Sequence, residues 1–384
     1  RLKRALYRRQ RSGKDWSDHI TNVLTKMGFK RLSGRGLFMN DDGVMLSIYV
    51  DDLVIATTKE KARAFFNELK KHVKLKTTAD DSEGWSETSR FLGMHYEQIK
   101  QGDFRIFRVS MPGYARKVVS DYESKYETTI SPRKCLSNPP SIGPVSVMGE
   151  AFREQVGALL WLTRCFRPDL AKSVSILGEA VTKWTQEHTK FLENILGVVL
   201  CTADYYMEMK FNVNDKELLF DIHSDANLAA PRSTSGYFFV LVGEHGSKIP
   251  LAWRSAKQQV TCTSTAGSEY IAASNAAGNA MTVFRTLQQV NLCNESPKIF
   301  IDNQCVLLGI TRGWSSFDAV VDAALLKKTE VLRLCQLNDL HSSGVAKFEY
   351  INSNENLADS LTKITTSTKQ PLDRNSLSIF GIEI

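Results

Sequence analysis

From about residue 217 onward the chain alternates in a way that leaves few folds open. Three β-type runs, residues 218–225, 236–243 and 249–254, are separated by turn residues. A long Ala-rich helical stretch follows at about 265–290, then a strand at 298–302 and a short helix. A helix at about 320–342, a strand at 345–351 and a helix starting near Asn354 complete the series. Strands run together first and then alternate with helices, which predicts a mixed α/β layer fold. No internal repeat is evident.

The preceding residues read differently. Residues 17–30 carry Ile20, Val23, Leu24 and Met27 at helical spacing, with Ser17 or Asp18 as candidate caps. Residues 44–56 form two short β-rich runs interrupted by Asp51 and Asp52, a hairpin with acids at its tip. Residues 59–72 place Ala62, Phe65, Phe66 and Leu69 on one helical face. Residues 91–99 and 104–109 read as strands joined by the turn Gln101-Gly102-Asp103. Pro132, Pro139, Pro140 and Pro144 mark a linker, and residues 150–210 read as largely helical.

A chain of 384 residues holds about two or three domains. With 42% hydrophobic and 24% charged residues it is neither disordered nor collagen-like. No apolar run nears the ~20 residues of a membrane span. The chain begins at Arg1 without a secretory apolar region, so a processed piece or a gene fragment is expected. The seven cysteines form no CxxC pair and the seven histidines show no zinc spacing, which suits a reducing compartment. Lys and Arg number 49 against 42 acids, a net charge of +7. Arg1, Lys3, Arg4, Arg8, Arg9, Arg11 and Lys14 concentrate that excess within the first fourteen residues, fitting either a solvated basic face or contact with a polyanion.

Four acids fall at the ends of the predicted C-terminal elements. Asp225 ends the first strand, Glu269 lies in the first turn of the long helix, Asp302 ends the fourth strand and Asp359 lies in the first turns of the last helix. A lone acid at such a place is commonly a cap or a surface group. Four gathered at one sheet edge would repel one another unless cations bound them. Mg²⁺ takes hard oxygen ligands, and a pair of such ions serves phosphodiester hydrolysis by activating water and stabilising the leaving oxygen.

The segments SDANLA (224–229), RSTSGYFFVL (232–241), WRSAKQ (253–258), STAGSEYIA (264–272), IDNQ (301–304) and NENLADSLTK (354–363) resemble, in order, the ribonuclease H domain of copia-type retrotransposons. The resemblance covers about 217–365 and implies metal-binding acids at Asp225, Glu269, Asp302 and Asp359. It also shows departures. Ala319-Val320-Val321-Asp322 stands where the family has a Lys-His pair before Asp, and Gly267 stands where it commonly has Glu.

The tetrapeptide Tyr49-Val50-Asp51-Asp52 is by itself compatible with a simple turn. Together with LKRALY (2–7), FLGM (91–94) and VGALLWLTRCFRPDLA (156–171), it resembles the second half of a copia-type reverse transcriptase and its following region. That resemblance implies Mg²⁺ binding by Asp51 with Asp52 beside it. It also implies nucleic-acid contact by Tyr49 and by Arg4, Arg8, Arg9, Arg11 and Lys14. The family has a further catalytic Asp on an earlier palm strand. No residue before Asp15 supplies it, so polymerisation by this chain alone is not expected.

The expected fold class is therefore α/β (α+β). A truncated reverse-transcriptase palm (1–130) leads to a linker and helical thumb or connection (131–215). A ribonuclease H-like mixed five-stranded sheet with flanking helices (216–370) and a tail (371–384) follow. The expected retained activity is Mg²⁺-dependent cleavage of RNA in RNA–DNA hybrids, with two ions at the site and Mn²⁺ as a substitute. The alternative is a decayed or co-opted nucleic-acid-binding protein. Expected partners are RNA–DNA hybrid, template RNA, DNA and other Pol subunits, without membrane. The expected location, by family habit, is a cytoplasmic virus-like particle with a nuclear stage.

Overall fold

The computed structural model describes residues 11–75, 89–140, 149–312, 328–364 and 380–383. The chain divides into two units, residues 1–92 with 285–290 and residues 93–284 with 291–384. Arg4, Arg8, Arg9, the stretch 319–322 and most of the expected tail lie outside the described residues.

In the first unit, helix α1 (Ser12–Lys26) precedes an antiparallel sheet of β1 (Lys30–Arg31), β2 (Leu37–Met39), β3 (Met45–Tyr49) and β4 (Asp52–Ala56). Helix α2 (Lys59–Leu69) and the short β5 (Arg90–Phe91) follow. Leu24, Phe38, Leu46, Phe65 and Leu69 form its core. Helix α1 starts earlier than its apolar spacing suggests, and neither Ser17 nor Asp18 is its cap. Residues 12–18, mostly polar apart from Gly13 and Trp16, extend the helix as a largely surface-lying first stretch, stapled by an Arg11–Asp15 ion pair at 3.0 Å. Its end is a Schellman turn: the Phe29 amide donates to the Leu24 carbonyl at 2.9 Å and Gly28 to Thr25 at 3.1 Å. Gly28 takes φ +86, which glycine adopts without Cβ strain.

The second unit opens with the hairpin β6 (Met94–Gln101) and β7 (Phe104–Ser110). The positive φ values at Leu92 and Gly93 break the strand expected over 91–99. Helices α3 (Pro112–Tyr126), α4 (Arg153–Cys165), α5 (Ala171–Ala180) and α6 (Gln186–Cys201) come next. Between α3 and α4 the described part of the Pro-rich stretch has no helix or strand. Thr185 and His188 close a capping box at the start of α6. Arg167, fully buried, sets the α4–α5 corner. Its guanidinium donates to both Asp169 oxygens at 2.8 and 2.9 Å and to the Thr202 hydroxyl at 2.8 Å.

The helical reading of 150–210 fails at its end. Residues 206–212 are strand β8 (Tyr206–Asn212), antiparallel to β7 over its whole length. Glu208 masks the strand pattern because it is buried. It is held there by Arg108 and Lys210, both at 2.8 Å.

The remaining elements are β9 (Leu219–Asn227), β10 (Thr234–Val242), β11 (Lys248–Lys257), α7 (Thr265–Gln289), β12 (Lys298–Ile301), α8 (Gln304–Arg312), α9 (Lys328–Ser342), β13 (Lys347–Tyr350), α10 (Asp359–Thr362) and β14 (Ile382–Glu383). They bear out the expected element order. The sheet runs β13-β12-β9-β10-β11-β8-β7-β6, with β14 on β8. Strands β9, β10 and β11 are antiparallel, whereas β12 runs parallel to β9 and β13 parallel to β12. Parallel neighbours need crossovers, which α7 and the α8–α9 segment supply. Strand β9 is central and buried from Ile222 through Ala226, as a strand covered on both faces must be. Phe220, Phe239 and Phe284 pack on one face of the sheet, while Phe238 and Val240 join the core built on α3–α6.

Candidate carboxylate site

The parallel register fixes where two of the acids meet. Phe300 on β12 lies opposite His223 on β9, so two residues further on Asp302 comes alongside Asp225. Asp225 does not end its strand, which continues to Asn227. Glu269 enters from the first turns of α7. Ligand atoms of Asp225, Glu269 and Asp302 all lie within 4.8 Å of one another. Asp225 is 2% exposed and Glu269 4%, so this negative charge is packed almost out of water.

The electrostatics follow from that burial. Desolvation, with the charges of Asp302 and Asp359, raises the Asp225 carboxyl to about 6 against a hydrogen bond from Thr362. Desolvation, then the charges of Asp225 and Asp302, pushes Glu269 up to about 9. The Ala226 amide donates to Glu269 Oε1 at 3.2 Å. Buried carboxylates that hold protons this firmly give them up to a hard cation, and three carboxylate oxygens suit Mg²⁺ or Mn²⁺.

The fourth acid is held apart from these three. Asp359 is the first residue of α10 and pairs with Lys363 one turn on. It is outside the 4.8 Å group, though near enough for its charge to act on Asp225.

Three residues not singled out from the sequence place α10. Asn356, 5% exposed, donates to the Ser224 carbonyl at 3.0 Å and accepts from the Ala358 amide at 3.1 Å. The Thr362 hydroxyl donates to Asp225 Oδ2. Gly236 stands opposite Asp225 on β10, and a Cβ there would meet Leu361 Cβ at 2.9 Å and the Ala358 carbonyl at 3.0 Å. The glycine lets α10 lie flat on β10, which brings Thr362 to Asp225. His223 Nδ1 accepts from the Leu357 amide at 3.4 Å, and burial followed by the Lys248 charge lowers its pKa to about 4. Gly267 also has a local reason, since a Cβ there would lie 2.5 Å from the buried carboxyl of Glu330.

The hairpin pair lies in the first unit. Tyr49 faces Asp52 across β3 and β4, and Val50-Asp51 form a two-residue turn. Val50 takes φ +54, a costly conformation for a β-branched residue, and its carbonyl accepts from Trp16 Nε1 at 2.7 Å. Asp51 and Asp52 are exposed, as is half of Tyr49. Among the described residues no third acid completes a metal-sized group with them. Arg11 and Lys14 are exposed on α1.

Three carboxylates gathered at neighbouring parallel strand ends form a group that could hold a divalent cation. Residues 1–132 match the family model described as "Reverse transcriptase (RNA-dependent DNA polymerase)". The chain is 28% identical over 271 residues to the "Putative transposon Ty5-1 protein YCL074W" of Saccharomyces cerevisiae, covering 67% of this chain and 82% of that protein. It is 23% identical over 349 residues to the "Retrovirus-related Pol polyprotein from transposon TNT 1-94" of Nicotiana tabacum. That match covers 86% of this chain and only 24% of the tobacco protein. Among solved structures, the N-terminal RNase H domain of Rv2228c from Mycobacterium tuberculosis is 16% identical, with a TM-score of 0.26 over 38% of this chain and 91% of that one. The chain is thus similar, over most of its length, to Pol proteins of LTR retrotransposons, and its first third matches the reverse-transcriptase family model. Among the described residues no helix is long and apolar enough to cross a membrane.

Proposed function

We propose that the second unit is the ribonuclease H of this Pol region and hydrolyses the RNA strand of an RNA–DNA hybrid. The observation that carries the reading is the convergence of Asp225, Glu269 and Asp302 from three separate elements within 4.8 Å. Mg²⁺ held by these acids would supply Lewis-acid activation of water and charge for the leaving 3′ oxygen. The chain's own groups do the positioning. Thr362 fixes one oxygen of Asp225. Asn356 pins the loop before α10 to β9, which keeps Asp359 beside the site. His223, neutral at ordinary pH, orients the same loop by accepting the Leu357 amide.

Asp51, Asp52 and Tyr49 at the β3–β4 tip, with Arg4, Arg8, Arg9, Arg11 and Lys14, belong in this proposal to the polymerase part of the Pol region. Asp51 would hold Mg²⁺ there and the basic residues would contact template phosphates. Such contacts bind without sequence preference and weaken with salt. RNA–DNA hybrid, template RNA and DNA are thus the proposed partners.

A second reading is a catalytically decayed or co-opted nucleic-acid binder. The capture of Asp359 by Lys363 favours it. Incubating the full chain with hybrid and Mg²⁺ separates the two. Cleavage that disappears in Asp302→Asn supports the nuclease. Binding without cleavage in the unsubstituted chain supports the binder.

A further inference from the structure

The helical turn after Asp359 presents a single ammonium to every acid of the site. Lys363 pairs with Asp359 and acts by its charge on Asp225, Asp302 and Glu269 as well. Its side chain is about half exposed, so the ammonium sits at the solvent side of the buried acids Asp225 and Glu269. It stands one residue after Thr362, whose hydroxyl already occupies Asp225 Oδ2. One donor is the last residue of α10 and the other its C-cap, and each engages one carboxylate that a further cation would need.

The four acids are therefore not equivalent. Asp225, Glu269 and Asp302 are mutually close and able to share one divalent ion. Asp359 is withdrawn from them and neutralised. We propose that Lys363 is a positioning residue that holds Asp359 away from the three-acid group and so sets how tightly a second divalent cation binds. A cation approaching Asp359 must displace the ammonium or endure its repulsion. The first cation, held by the buried Asp225 and Glu269 with the half-buried Asp302, meets that repulsion less directly. The inference rests on the nuclease reading of this site and concerns its regulation by the chain's own charge.

A unit positive charge facing a dication across several Å is worth roughly tenfold in binding in a water-like dielectric. Mn²⁺ titration of the full chain by calorimetry, at fixed pH and without nucleic acid, reads this directly. The unsubstituted chain should bind one Mn²⁺ tightly and a second weakly. Lys363→Met should tighten the second step by roughly tenfold, and Lys363→Gln should do the same. Lys363→Arg keeps the charge and should stay close to the unsubstituted chain. In Asp359→Asn the second step should vanish, and adding Lys363→Met should not restore it. Circular dichroism confirms that each variant is folded. Unchanged second-step binding in both neutral variants, or tightening in Lys363→Arg equal to theirs, overturns the proposal. Asp302→Asn tests the underlying reading separately, because it should abolish the tight first step. If it does not, the nuclease site itself is wrong, whatever Lys363 does.

Discussion

Gly236 shows how a residue without chemistry can decide whether chemistry is assembled. Its missing Cβ leaves room for Leu361 and Ala358, and hence for the Thr362 bond to Asp225. Gly236→Ala should cost about 1–3 kcal/mol by overpacking, read as a lowered unfolding midpoint. The buried acids also set a pH dependence. Glu269 has an ordinary value of 4.5 and is raised to about 9 in the fold. The folded state thus binds more protons than the unfolded one between those values. The stability it contributes is full below about 4.5 and is lost as pH rises through about 9. His223 works oppositely, but only below its ordinary 6.5. In metal-free protein the melting midpoint should therefore fall between about pH 6.5 and 9, and saturating Mg²⁺ should flatten that slope. A metal-free midpoint that rises over this range would contradict the assignment. The grouping of Asp225, Glu269 and Asp302 could be anticipated from the sequence because each sits near the end of a predicted element. The roles of Thr362, Asn356 and Gly236 could not, because small residues acquire a role only through what packs on them.

At the scale of elements, strands and helices with clean periodicity were read correctly, and the misses have physical causes. Strand β8 hid behind Glu208, whose burial is made tolerable by Arg108 and Lys210 on either side. Helix α1 began early because its first turns lie largely at the surface, where no apolar face is needed to mark a helix. The α4–α5 corner depends on Arg167, fully buried between Asp169 and Thr202. Removing one member of a buried pair leaves an uncompensated charge. Arg167→Ala should destabilise the second unit by about 3–5 kcal/mol in a denaturant titration. Arg167→Lys should recover only part of this, since an ammonium cannot make the two-pronged contact. An equal loss below 1 kcal/mol in both variants would show the corner to be held by its apolar packing alone.

At the scale of the molecule, a segment that matches the reverse-transcriptase family model is followed by a sheet that continues past the expected five strands. The run from β13 to β11 matches the mixed sheet read from the sequence, while β8, β7 and β6 extend it. That extension was not legible, because which strands share a sheet depends on long-range pairing rather than on local pattern. The resemblance to copia-type Pol chains pointed to the four acids, and the geometry supplied the grouping of three of them and the separate state of Asp359. The central claim is that those acids cut RNA. A 5′-labelled RNA strand annealed to DNA, incubated with the full chain and Mg²⁺, tests it most directly. The account predicts internal cleavage of the RNA, none of the DNA strand, and a loss of at least about a hundredfold in Asp302→Asn. Intact RNA on a hybrid that the unsubstituted chain demonstrably binds, or equal cleavage by Asp302→Asn, would contradict it.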